Sequence, residues 1–227
     1  MLIFGHRGAA GLAAENTLPS FRLAAELGCH GIECDIWAVG GQAVVIHDGT
    51  ADRTTPLRGR IHELGSAALH VAGVPFLSEL APLLAEFPAL QLNVELKEVA
   101  AAPLLAAWWA GLPPALAGRV LASSFAAEAL AHPTLVGRPR ALCIEGDLRR
   151  GLAQARWLGC AAVHPDHRLL DAAAVAGAGL PLRAWTVNAP ERARQLARWG
   201  VAALFTDRPD LLLKLPKDSA SCGADAG

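Results

Sequence analysis

The chain has 227 residues, 53% hydrophobic and 18% charged, which is enough apolar surface for one large core and excludes an intrinsically disordered protein. A formal net charge of -1 with no Lys/Arg-rich run excludes the electrostatic footprint of a nucleic-acid binder, so no nucleic-acid partner is expected. The five cysteines, Cys29, Cys34, Cys143, Cys160 and Cys222, are odd in number and form no C-x-x-C pair, which argues against a disulfide framework or zinc site and for reduced thiols in a cytoplasmic protein.

In chain order, short runs of β-branched and apolar residues predict strands at 2–5, 32–37, 43–46, 90–96, 120–123, 141–144, 161–164, 182–187 and 203–206. The first run has no basic flank and no cleavable apolar stretch, so it reads as a core strand rather than a signal peptide. Ala/Leu-rich stretches of helical length lie between most of the strands, at 18–27, 77–86, 101–110, 126–131, 148–158, 169–176 and 191–199, with a last one at 209–215. Only a turn at Gly40-Gly41 separates the second strand from the third. A parallel crossover needs about a dozen residues, so this pair must form an antiparallel hairpin. Without the hairpin's return strand, eight β/α units remain, which predicts an α/β fold, a (β/α)8 TIM barrel with a small β-hairpin extension after the second strand. A doubly wound open sheet is the alternative. The barrel is expected to occupy 1–215 as one domain, with the small and polar residues 216–227 as a disordered tail.

Residues 99–118 carry no charge and match the ~20 residues of a membrane span, but Pro103, Gly111, Pro113 and Pro114 interrupt them. They predict a buried barrel helix and its following loop, with no stable membrane insertion; the other reading places Trp108-Trp109 against a lipid surface.

Barrel enzymes carry their chemistry at the C-terminal strand ends, where this chain has its least expected polar residues. His6 and Arg7 end the first strand, and Glu15-Asn16-Thr17 precede the first helix, which Asn16 or Thr17 can cap. Glu33 and Asp35 are two apart, so they share one face of the second strand while Ile32, Cys34 and Ile36 share the other. Asn93, Glu95 and Lys97 repeat the pattern. Three inward carboxylates repel unless a cation lies among them, and oxygen ligation suits Mg2+ or Ca2+ rather than zinc. An internal ion-pair network with Lys97 and Arg7 is the competing structural reading. His47-Asp48 adds a second histidine on the same side, completing an acid/base pair around an anionic substrate.

Taken in order, His6-Arg7-Gly8, Glu15-Asn16-Thr17, Glu33-Cys34-Asp35, His47-Asp48, Arg53-Thr54-Thr55, Glu95-Leu96-Lys97, Ser123-Ser124-Phe125, Trp185-Thr186-Val187-Asn188 and Thr206-Asp207-Arg208-Pro209 resemble the signature of the glycerophosphodiester phosphodiesterases, in its short cytosolic form, from Ile3 to about Leu212. The resemblance implies metal-dependent hydrolysis of glycerophosphodiesters to sn-glycerol 3-phosphate and an alcohol. It implies a divalent metal, Mg2+ or Ca2+, on Glu33, Asp35 and Glu95, acid/base roles for His6 and His47, and phosphate contacts from Arg7 and Lys97. Glu15 is a further candidate on the substrate side. Trp185 is assigned to a pocket wall packing on the glycerol, with simple barrel filling as its other reading. Arg53 and Asp207 read as loop-fixing residues. Two positions depart from the family pattern: Ala126 stands where Asp usually follows Ser-Ser-Phe, and Pro75-Phe76-Leu77 where Pro-Thr-Leu is usual. The expected partner is a small-molecule glycerophosphodiester, and the protein a monomer or homodimer. Alternatives are a lysophospholipase D-like enzyme and a catalytically silent barrel binding phosphorylated metabolites.

Overall fold

In the computed structural model, which describes residues 1–215, β1 (Leu2–Gly5) lies between β2 (Gly31–Val39) and β9 (Ala203–Thr206) in a parallel sheet. β4 (Gln91–Leu96), β5 (Val120–Ser124), β6 (Arg140–Ile144) and β7 (Ala162–Pro165) continue the sheet from β2, and β8 (Arg183–Ala184) continues it from β9. The seam between β7 and β8 is closed by parallel bridges, Val163 with Leu182 and Asp166 with Trp185. The eight parallel strands therefore form the expected barrel, and the doubly wound alternative does not hold. The strand expected at 182–187 keeps regular pairing only over Arg183–Ala184. Pro165 and Pro181, which have no N–H to donate, flank the seam, where single bonds such as Trp185 N–H to Pro165 O (3.1 Å) replace a ladder.

β3 (Gln42–Val45) pairs antiparallel with the outer end of β2 and stands off the ring. The hairpin turn needs positive φ at both central residues, which Gly40 (56°) and Gly41 (78°) supply. Behind it lie two helices that the sequence did not signal, Ile61–Leu64 and Ser66–Val71, each too short to show a periodic stripe. The region packs around its own apolar cluster of Val39, Val44, Ile46, Ala51, Ile61, Leu69 and Val74, separate from the main core. The residues expected to form a disordered tail, 216–227, lie outside the described residues.

The stretch at 99–118 is the helix Ala101–Ala110 followed by the short helix Pro114–Ala117. Trp109 is buried in the main core and donates its indole N–H to Ala117 O at 2.9 Å, and Trp108 packs partly buried against that core, so the pair does not form a lipid-facing surface. No helix among the described residues is long and apolar enough to cross a membrane.

Phe4 fills the space beside Gly31, its register partner, and packs with Phe205 and Ala203. A Cβ on Gly31 would stand 2.2 Å from the Phe4 ring, which is enclosed and has nowhere to go. Gly31→Ala is therefore expected to destabilise the protein by about 1–3 kcal/mol in urea unfolding, and Phe4→Leu in the same chain to recover part of it.

Candidate active site

The register of β2 against β4 sets Glu33 beside Asn93 and Asp35 beside Glu95. Their neighbours Ile32, Cys34, Ile36, Val94 and Leu96 point to the helices and join the main core, so period-two alternation sends the polar residues into the barrel. One oxygen from each of Glu33, Asp35 and Glu95 lies within 4.8 Å of the others, a spacing at which one cation can bind all three. Burial first, then repulsion from Asp35 and Glu95, pushes Glu33 well above the usual carboxylate range, and burial and Asp35 raise Glu95. Asp35 goes the other way. Burial raises it, but Lys97 (3.5 Å), Arg7 (3.3 Å) and the Asn16 amide (2.8 Å) together outweigh that and lower it. Glu33 Oε1 is buried and has no hydrogen-bond partner. A cluster with unbalanced negative charge and an orphaned buried oxygen fits a hard divalent cation on oxygen ligands.

Both histidines lean on an aspartate through Nδ1. His6 Nδ1 is 2.8 Å from Asp207 Oδ1, and Asn188 Nδ2 donates to Asp207 Oδ2 at 2.8 Å. His47 Nδ1 is 2.6 Å from Asp48 Oδ1, and Arg53 binds both oxygens of Asp48. With Nδ1 engaged in this way, Nε2 of each ring is the nitrogen left for chemistry. Burial lowers His47 despite its acidic neighbours; Asp207 is lowered because hydrogen bonds from His6 and Asn188 outweigh its burial.

Arg7 sits in a left-handed backbone conformation (φ 52°), as does Asn16 (φ 55°), strain that surrounding bonds hold in place. Arg7 N–H donates to Glu33 Oε2 at 2.8 Å, Asn16 N–H donates to Arg7 O at 3.0 Å, and the Asn16 amide reaches Asp35. Thr17 caps the first helix, Leu18–Glu26, and Asn16 serves the carboxylates instead. Glu15 accepts from Arg7 (3.0 Å) and from Arg53 (2.6 and 2.8 Å), tying the first loop to the hairpin region. Lys97 Nζ donates to Glu95 at 2.7 Å.

A cavity of about 120 Å3 opens among these groups, lined by His6, Arg7, His47, Glu95 and Lys97, with Phe125 and Trp185 also on its wall. Trp185 donates its indole N–H to His164 O at 2.7 Å and meets Phe125 edge-on at 5.5 Å. Seven of the nine residues expected at the site line this cavity, and the other two, Glu15 and Asp35, pair with Arg7 on its wall. Sequence reasoning missed Asn16 as a carboxylate partner and Asp207 as the partner of His6, contacts that span 19 and 201 residues.

Residues 6–211 match the model of the glycerophosphoryl diester phosphodiesterase family. A glycerophosphodiester phosphodiesterase of Bacillus altitudinis is 24% identical over 95% of this chain and 98% of its own. Among solved structures, an Oleispira antarctica phosphodiesterase in complex with the product sn-glycerol-3-phosphate is 27% identical, with a TM-score of 0.83 over 94% of this chain and 95% of that one. The glycerophosphodiester phosphodiesterase of Thermotoga maritima shares the fold, with a TM-score of 0.82 at 24% identity over 95% of this chain and 98% of that one. With a whole-barrel match and the motif residues gathered at one barrel mouth, the chain belongs to the glycerophosphoryl diester phosphodiesterase family, and its enzyme class is phosphoric diester hydrolase.

Proposed function

We propose that this protein hydrolyses glycerophosphodiesters to sn-glycerol 3-phosphate and an alcohol, with His6 and His47 exchanging protons around a divalent ion on Glu33, Asp35 and Glu95. The observation that carries this reading is the meeting of three converging carboxylates, two of them on the cavity wall, with two histidines of the same cavity, each backed by an aspartate. The bound ion, Mg2+ or Ca2+, would supply positive charge against the phosphoryl oxygens. Arg7 and Lys97 add fixed positive charge at the same cavity and offset the charge that develops on the phosphate. His6, with Nδ1 held by Asp207, accepts at Nε2 the proton of the attacking hydroxyl, from water or from the glycerol itself. His47 delivers a proton to the oxygen of the departing alcohol. It gains that proton in the complex, where the substrate's negative charge counters the burial that lowers the proton affinity of the free ring. The side-chain hydrogen bonds and ion pairs from Glu15 to Arg7 and Arg53 make Glu15 an organiser of the phosphate side, and Trp185 offers a flat wall to the glycerol carbons.

The lysophospholipid reading loses its main support with Trp109 in the core, and the presence of His6, His47, Glu33 and Glu95 on one cavity wall speaks against the silent-binder reading. The deciding assay is release of glycerol 3-phosphate from glycerophosphocholine, glycerophosphoethanolamine and glycerophosphoglycerol with Mg2+, with Ca2+ and with chelator. Release that requires the metal is expected. A folded protein that releases none from any of the three would overturn the reading.

A further inference from the structure

The cavity continues below the carboxylates and ends on side chains with no part in the proton transfers. Asn93 of β4 and His164 of β7 are each 1% exposed and line this floor, with Cys143 and Phe205 beside them. One end of the Asn93 amide contacts Ser123 Oγ at 2.9 Å, while the other, Oδ1, has no hydrogen-bond partner, and neither has His164 Nε2. A buried polar atom left unpaired costs about 1–3 kcal/mol, so two at the end of one open cavity mark a place that a ligand completes. Burial, followed by the charge of Arg183, holds His164 well below the usual histidine range, so the floor is neutral and unsuited to an anion. A hydroxyl suits it, since one O–H both donates and accepts. Asn93 lies two residues before Glu95 on β4, about 6.6 Å of strand rise, which is within the span of a three-carbon phosphate ester anchored at the carboxylates. Trp185 and Phe205 present apolar surface on the wall of the same cavity, suited to the carbon chain.

We propose that Asn93 and His164 form a hydroxyl-binding floor for the terminal hydroxyl at the glycerol end of the substrate, with His164 selecting a glycerol diester over one without that hydroxyl. The proposal rests on the hydrolase reading above. It leaves the departing alcohol at the rim, where Phe125 is 44% exposed.

The test compares kcat/KM for glycerophosphocholine and for 2-hydroxypropylphosphocholine, which keeps the hydroxyl beside the phosphate ester and lacks the terminal one, in the wild type, His164→Leu and His164→Gln, with Mg2+ present. The ratio of the two constants is expected to fall 10- to 100-fold in His164→Leu and to be largely restored in His164→Gln, whose amide nitrogen reaches the place of Nε2. Because Leu removes an unpaired buried group, its Tm should not fall; if it does not fold, His164→Asn, which is too short to reach, takes its place. In parallel, glycerol 3-phosphate should raise the wild-type Tm more than 2-hydroxypropyl phosphate does, and the difference should collapse in the Leu variant. An unchanged substrate ratio, or an unchanged Tm difference, would mean that the floor holds only water and would overturn the proposal. Absence of hydrolysis in the wild type would count against the hydrolase reading alone, since the Tm comparison would still decide the floor.

Discussion

Alanine at His6 or at His47 is expected to lower turnover of glycerophosphocholine by about 10²- to 10⁴-fold, with far-ultraviolet circular dichroism and Tm close to wild type. Each ring is only partly enclosed, and its hydrogen bond is to an aspartate at the barrel mouth, so little of the core depends on it. The double variant should be little worse than the poorer single one, because proton removal and proton delivery serve one transition state. The two roles separate with the leaving group. p-Nitrophenolate departs without a proton, so with glycerophospho-p-nitrophenol the His47 variant should recover most of its loss and the His6 variant almost none. Recovery in the His6 variant instead would exchange the two assignments, and near-full activity in either variant would remove that residue from the reaction.

Glu33→Gln and Asp35→Asn should move the stability of the metal-free protein in opposite directions, although the two carboxylates share one face of one strand. Asp35 is held by Arg7, Lys97 and Asn16, and neutralising it leaves two half-buried cations short of their counter-charge. A loss of roughly 3–5 kcal/mol is expected, as for a broken buried pair. Glu33 has only the Arg7 N–H on one oxygen, nothing on the other, and two carboxylates against it. Its folded pKa is raised, so the folded state binds its proton more tightly than the unfolded chain does. Stability is then full below the unfolded value of about 4.3 and is lost as pH rises through the higher folded value. Glu33→Gln removes that loss, so in chelator at pH 8 it should unfold at higher urea than wild type. Both variants should also lose the Tm increase that Mg2+ or Ca2+ gives the wild type. A Glu33→Gln protein less stable than wild type in chelator, with the metal response intact, would sink the shared-ion reading.

The barrel and the carboxylate cluster were legible because both rest on local periodicity. Glu33 with Asp35, and Glu95 with Lys97, declare a common face within three residues, and the register of neighbouring strands does the rest. His47 and its partner Asp48 are adjacent in the chain. The partner of His6 was hidden because Asp207 follows the last strand, and only the pairing of the first strand with the last makes them neighbours. Arg53, read as a loop-fixing residue, joins Glu15 to Asp48, and Asp207, read the same way, bonds His6. His164 showed no signal because a histidine inside an apolar strand looks the same whether its ring faces the helices or the cavity floor. Ala126, where the family usually has Asp, begins the short helix Ala127–Leu130 beside Phe125, and its backbone N–H is taken by Ser124 Oγ at 3.0 Å.

His47 follows the return strand of the hairpin, which stands off the ring and packs mainly on its own apolar cluster, with Val45 as its link to the main core. Regions with separate cores can open separately. On gradual heating the two histidines should therefore part company before the barrel melts, so that inactivation precedes and is reversed independently of global unfolding, and heat sensitivity of the activity reports on the appendage rather than on the ring.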